Sequence, residues 1–398
     1  MLRPSKSILI IVNDDLTRHP RVLMEIRALS KEYRIVCAGL GHVKSNTFEY
    51  IDMKPLLEDQ KVPVKFHRHY PIFLRRVVSG FIRIIYRRRI RGNQVPDGIT
   101  RIPKRLLKKL EKSKPDLILA HDITILPWVL YLAKEIMPVV LNAHEYYPQL
   151  ADENPDWVRD SKAIVEEICR TKLKKLSGLI TVSEGIAMKY KSEYDVDSIV
   201  ITNAKRFYDL SPKPALPESI SIVHHGLAAR NRKIEEMAGI IDYLPDNFTL
   251  DFMLLPLGDG YLEELKHKFS KESRIRFLPV VPTEEIPNAL NHYDIGLFML
   301  PPVNFNYEYS LPNKLFEFIQ ARLAIAIGPS FEMKKYVKRY DLGIVTQDYS
   351  SLEMAANLRS LTIEKINYYK NQSHKFAREL SSEGEEDKLQ KYIRELIR

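Results

Sequence analysis

Short runs of Ile, Leu and Val recur along this chain, at 7–12, 116–120, 138–141, 219–224 and 295–300, and most lead through a polar loop into a stretch with helical spacing. Continuous apolar runs of this length predict strands of parallel sheets, buried on both faces by helices. At 398 residues the chain is too long for one ordinary core. The alternation also runs twice, once on each side of SPKPALPES, where Pro212, Pro214 and Pro217 favour an extended linker. Two doubly wound α/β domains facing a cleft are therefore expected.

Composition narrows the class. Hydrophobic residues make up 45% of the chain, which excludes a disordered polymer. Only Cys37 and Cys169 occur, so a disulfide framework or thiolate metal site is not expected and a reducing compartment fits. The run at 8–12 meets Asn13, Asp14 and Asp15 at once, which reads as a strand and not a signal peptide. No apolar stretch reaches the roughly 18 residues a membrane span needs. A cytoplasmic protein is expected, resting at most on the inner face of the plasma membrane.

Net charge is +10, but from Lys61 to Lys112 sixteen Lys or Arg stand against Asp97 and Glu111. Within 72–91, apolar residues at helical spacing are flanked by Arg75, Arg76, Arg83, Arg87, Arg88, Arg89 and Arg91. An interfacial helix on anionic lipid is one reading, and a solvated basic face is the other. No nucleic-acid-binding motif accompanies the charge, so no nucleic acid partner is expected.

Strand ends carry the candidate chemistry, because open α/β sheets bind ligands outside the carboxyl ends of their strands. The strand at 116–120 ends on His121-Asp122, and the one at 138–141 leads into His144-Glu145-Tyr146. These histidines lack close metal-ligand spacing and no third ligand stands out, so no metal is expected; structural histidines are the other reading. The turn after the first strand has no glycine, which disfavours a dinucleotide fingerprint. In the second half, Gly226, Arg230 and Arg232 follow a strand, a set suited to phosphate oxygens. A helix is predicted from about Ser310, with Leu311, Leu315, Phe318 and Ile319 on its core face and Lys314 and Glu317 aimed away from the core. A cation near a helix N-terminus suits phosphate, and a carboxylate one turn on suits sugar hydroxyls; an ordinary solvated helix is the alternative.

The segment SLPNKLFEFIQA resembles the nucleotide-sugar-binding helix of retaining, family-4-like glycosyltransferases of the GT-B fold. Their Glu-x7-Glu pattern places its second carboxylate at Glu317, while the first position holds Tyr309, with Glu308 one residue out of register. Where the family has Gly-Leu-Pro after the helix, this chain has Arg322-Leu323-Ala324. The resemblance extends to His121, to the AHEYYP stretch, to Gly226, Arg230 and Arg232, and to the loop at Gly258.

The resemblance implies a GT-B layout of 1–208 as acceptor domain, including the basic 61–112, a linker at 209–218, a nucleotide-sugar domain at 219–374, and a helix at 375–398 returning to the first domain. It implies a hexosyltransferase that moves a sugar from a nucleoside diphosphate sugar with retention; the basic segment at 61–112 points to a glycan or polyprenyl-linked acceptor of surface polysaccharide synthesis. The nucleotide sugar is a co-substrate, and no cofactor is implied. His121, Glu317, Arg232 and Lys314 become the catalytic candidates. Ser310, Leu311 and Gly258 join Gly226, Arg230, Arg232, Lys314 and Glu317 around the donor. Asp15, Arg18, His144, Glu145 and Tyr146 are assigned to the acceptor. The departure at Tyr309 leaves a decayed, binding-only scaffold at a membrane surface as the alternative.

Overall fold

The computed structural model describes residues 6–16, 19–58 and 102–397, in two units. The first takes the chain as far as Ile201 and again from Glu386; the second is Thr202–Glu385. These boundaries differ from the expected 208 and 374. The stretch 209–218 is no free linker but part of the second unit: Ala215 is buried, with its N–H on Asn367 Oδ1 at 2.8 Å, and the nearby Tyr208 hydroxyl donates to Glu284 O at 2.8 Å. Prolines leave few amide donors here, and a side chain of the second unit takes that of Ala215.

In the first unit, β1 (Ser7–Asp15), β2 (Arg34–Leu40), β3 (Glu49–Asp52), β4 (Leu117–His121), β5 (Val139–Ala143), β6 (Gly178–Thr181) and β7 (Ile199–Val200) form one parallel sheet. Its order is β3-β2-β1-β4-β5-β6-β7, which reverses direction between β1 and β4. A crevice opens at the carboxyl edge of such a reversal. All five residues of β4 and of β5 are buried, including the polar His121 and Asn142. The last helix (Ser382–Leu396) adds Leu389 and Ile393 to the core around Ile8, Ile10 and Leu117, and Glu386 accepts from Arg27 and Lys31.

In the second unit, β8 (Ile220–Ala228), β9 (Phe248–Pro256), β10 (Ile275–Phe277), β11 (Ile295–Phe298), β12 (Ala324–Ile327) and β13 (Gly343–Val345) are again all parallel. The order β10-β9-β8-β11-β12-β13 reverses between β8 and β11. Strand β8 outruns the expected end at His224: its register with β9 continues through Gly226↔Leu254 to Ala228↔Pro256. Gly226 therefore sits in the strand end and not in a loop. The helix Asn313–Gln320 crosses β11 so closely that a Cβ on Gly296 would lie 2.4 Å from the Phe318 ring.

Arg18 and the arginine-rich segment 72–91 lie outside the described residues. Among the described residues, no helix is long and apolar enough to cross a membrane.

Candidate functional site

At the reversal point of the second sheet, β8 presents His224, His225 and Gly226, and the loop after it brings Arg232. Successive strand residues face opposite sides. His224 accordingly turns into the core with Nδ1 2.9 Å from Leu297 O, while His225 Nε2 lies 3.3 Å from Glu317 Oε2. The other Glu317 oxygen is 3.0 Å from Lys205 Nζ. Gly226 holds φ at +131°, and a Cβ there would stand 2.5 Å from Lys314 Nζ and 3.3 Å from Arg232 Nη1. Glycine is required on both counts.

The helix Asn313–Gln320 starts three residues later than expected, with Pro312 as its cap residue. It also buries Lys314 and Glu317, at 8% and 3% exposure, where the sequence pattern had them facing away from the core. The helix lies in the crevice, so its polar face meets β8 instead of water. Glu317 is held by Lys205 and His225, so the helix is not the ordinary solvated one of the alternative reading. Lys314 Nζ rests 4.8 Å above the Phe298 ring. Burial, with the Arg232 guanidinium and Lys205 close by and only partial relief from Glu317, lowers its ammonium to about 7. Arg232 Nε and Nη1 are buried and have no hydrogen-bond partner among the described residues. Three cations around one carboxylate leave a buried excess of positive charge, which an anion would neutralise.

Other donor candidates do not join this cluster. Arg230 is exposed, chelated by Glu264 at 2.8 and 2.7 Å and stacked 4.7 Å over Tyr261. Leu311 is a core side chain, 2% exposed, and Ser310 Oγ donates to Tyr307 O at 3.0 Å. Gly258, at φ +79°, lies in an open loop with nothing within 4 Å of a Cβ position. Tyr309 replaces the missing carboxylate with an aromatic stack, 4.4 Å from Phe305 and 4.8 Å from Phe331.

The first unit has a second polar constellation at its own reversal. His121, at the end of β4 and 2% exposed, has Nε2 2.7 Å from Glu25 Oε2 and Nδ1 3.0 Å from His144 Nε2. Both ring nitrogens are thus engaged, so His121, a catalytic candidate from sequence, has no ring nitrogen left for a substrate; His144, half-buried, is the open end of the pair. Glu25, 1% exposed on the helix Pro20–Leu29, also accepts from Asn142 and lies 3.6 Å from Arg21 Nε. Asp15 ends β1 and Glu145 is exposed, but Tyr146 is fully buried with its hydroxyl on Glu193, a packing residue and not an acceptor contact. Among the described residues no group of three His, Cys, Asp or Glu is placed to hold a metal ion.

Sequence reasoning missed Lys205, His225, Glu25 and Asn142. Glu25 had a signal: it falls among Val22, Met24, Ile26 and Leu29, a charge on the core-facing side of its helix. Lys205 had none, since its partner lies 112 positions away in sequence.

The fold is that of the GT-B glycosyltransferases. The sucrose-phosphate synthase of Thermosynechococcus elongatus is 12% identical with a TM-score of 0.69, covering 98% of this chain and 99% of its own. A glycosyltransferase of Rickettsia africae gives 11% and 0.67, covering 100% of both chains. Anabaena HepE, solved with UDP-glucose, gives 14% and 0.64, covering 98% and 99%. Residues 66–204 match the model of Glycosyltransferase Family 4. No curated protein matches the chain in sequence.

Proposed function

We propose that the protein is a glycosyltransferase that takes a hexose from a nucleoside diphosphate sugar and passes it, with retention at the anomeric carbon, to a hydroxyl acceptor. The observation that carries this is the buried cation cluster of Lys314, Arg232 and Lys205 around Glu317 and Gly226. It stands where a doubly wound sheet binds ligands, and its excess charge suits a diphosphate. HepE and the synthases supply the chemical class, a uridine diphosphate sugar being what HepE was solved with. Lys314 and Arg232 would stabilise the departing diphosphate. Glu317, fixed by Lys205 and His225, would accept from hydroxyls of the nucleotide. The acceptor reading, a glycan or polyprenyl-linked glycan of surface polysaccharide synthesis at an anionic membrane, rests on the sequence of 72–91 alone. Charge reversal of Arg87, Arg88, Arg89 and Arg91 should abolish co-sedimentation with anionic vesicles; unchanged sedimentation would remove it.

The donor assignment is tested by thermal shift against UDP, GDP, ADP, CMP and UDP-glucose, since a ligand specific to the folded state raises Tm. A shift with one diphosphate that Arg232→Ala abolishes is expected. No shift with any nucleotide overturns the assignment, and a shift without turnover of the bound sugar would favour the decayed scaffold.

A further inference from the structure

The donor cluster has two ends. Gly226, Lys314 and Arg232 crowd together at the first, where a Cβ on the glycine would stand 2.5 Å from Lys314 Nζ and 3.3 Å from Arg232 Nη1. At the second, Glu317 holds one oxygen 3.0 Å from Lys205 Nζ and the other 3.3 Å from His225 Nε2. Lys205 is set firmly in place. Its carbonyl accepts from Ser382 N at 2.7 Å, Phe207 N donates to the Glu383 carboxylate at 3.0 Å, and Tyr208 N donates to Gln320 Oε1 at 3.1 Å. Ala204 and Phe207, on either side, pack against the core that carries Leu315 and Phe318. The Lys205 side chain is 13% exposed against 4% for Glu317 and 8% for His225, so the ammonium is the accessible member of this end. An ammonium has three hydrogens to give. Glu317 takes one, and no other hydrogen bond engages Nζ among the described residues. Stability alone does not call for this lysine. Glu317 already has Lys314 one turn back on its own helix, and another cation adds repulsion: burial, then Arg232 and Lys205, lower Lys314 to about 7. A locally unfavourable choice of this kind marks a functional site.

We infer that Lys205 contacts the nucleotide, and that Lys205 and Glu317 together read the vicinal diol of its ribose. This rests on the glycosyl-transfer reading, in which Gly226, Lys314 and Arg232 meet the diphosphate that the ribose carries. A hydroxyl is a donor and an acceptor at once. Glu317 accepts only, so it takes the hydrogen of one ribose hydroxyl. Lys205 donates only, so it gives a hydrogen to the oxygen of the neighbouring hydroxyl. The two side chains, 3.0 Å apart, thus match the two oxygens of a diol, whereas a carboxylate alone would leave the second oxygen without a donor. Both bonds are charge-assisted, which makes each about twice as strong as a neutral one. Lys205 also cancels the charge of Glu317, so Lys314 and Arg232 remain to face the two negative charges of a diphosphate diester.

Calorimetric titration with UDP, GDP and ADP, each beside its 2′-deoxy and 3′-deoxy forms, tests this. The wild type should bind one ribonucleotide at least about tenfold tighter than either of its deoxy forms, the worth of a hydrogen bond to a charged group. Lys205→Met should bind that ribonucleotide about tenfold more weakly. It should also lose discrimination against one deoxy form, to within about twofold, and keep it against the other, because a residue and the hydroxyl it touches are not additive. A lysine that only shapes the fold would weaken all three ligands alike, so two unchanged ratios overturn the inference. Should Lys205→Met not fold, Lys205→Met with Glu317→Leu buries no charge of the pair and should bind the ribonucleotide and both deoxy forms within about threefold of one another. A wild-type ratio in that double variant overturns the inference as well. A wild type that binds none of these nucleotides overturns the glycosyl-transfer reading and this inference with it, whereas binding with ratios indifferent to Lys205 removes the inference alone.

Discussion

Lys314 Nζ fills the space that a side chain on Gly226 would need, 2.5 Å from the position of its Cβ. Gly226→Ala therefore meets two penalties. An L-residue at φ +131° is strained by about 1–3 kcal/mol, and the new methyl pushes the ammonium away from Arg232. The flexible end of Lys314 can move, so the protein should fold with a lowered Tm. Nucleotide binding should fall by at least tenfold. Retained affinity with displaced Tm would show that Lys314 does not touch the anion.

Lys314 also predicts how binding varies with pH. Its free pKa of about 7 lies within reach of ordinary buffers. A bound diphosphate favours the charged form and raises that pKa in the complex, so binding takes up a proton. Affinity should thus be full below pH 7 and weaken above it, by at most about tenfold per unit. Measurement between pH 7.5 and 9.5 avoids titration of the phosphate itself, whose second pKa is about 6. Lys314→Arg keeps its charge throughout and should flatten the profile. A flat wild-type profile would place the phosphate elsewhere.

Glu317 neutralises buried cations as well as facing a ligand. Removing it leaves Lys205, 3.0 Å away and 13% exposed, without its carboxylate. Breaking such a pair destabilises by about 3–5 kcal/mol. Glu317→Ala should show this in urea unfolding, and Glu317→Gln with Lys205→Met should recover most of it. No recovery would mean that the carboxylate acts mainly through His225.

The strands at 7–12, 116–120, 138–141, 219–224 and 295–300 were legible because continuous apolar runs have few other uses, whereas their order in each sheet was not. Also legible were the residue types of the donor cluster, since Lys314, Glu317, Gly226 and Arg232 lie in short local patterns. What local pattern could not show is which way a polar face points once the helix enters a crevice. Lys314 and Glu317 look solvated by period alone and are buried because β8 runs on past them. Arg230 and Arg232 are equivalent in sequence, yet Glu264, 34 positions on, takes one and leaves the other at the site. Contacts over that distance leave no periodic trace.

Three histidines should make the fold sensitive to acid. Burial, before any charge effect, holds His144, His224 and His225 well below their ordinary pKa. The unfolded chain binds protons at these rings from about pH 6.5 downward, whereas the folded chain does not. Stability is therefore fully present above that pH and falls as the pH drops, by up to about 1.4 kcal/mol per unit for each ring. Urea unfolding at pH 7.5 and 5.5 measures it, and a midpoint independent of pH would contradict the burial.

Arg322 stands where the resembled family has glycine, at φ +63°, so two effects oppose each other in Arg322→Gly. Relief of left-handed strain should stabilise by about 1 kcal/mol. Against that, the guanidinium is fully buried and donates to the carbonyls of Leu210, Ile319, Gln320 and Tyr208, stitching the stretch at 208–210 to the helix that carries Lys314. Leaving a buried acceptor unsatisfied costs about 1–3 kcal/mol each, and four of them outweigh the strain. Burial lowers this arginine to about 10, a sign of how incompletely charge offsets desolvation there, yet its hydrogen bonds keep it in place. Arg322→Gly should therefore lower stability by more than about 2 kcal/mol on the same per-acceptor figure, read by urea unfolding at pH 7.5. A variant as stable as the wild type would show that water replaces the guanidinium at all four carbonyls.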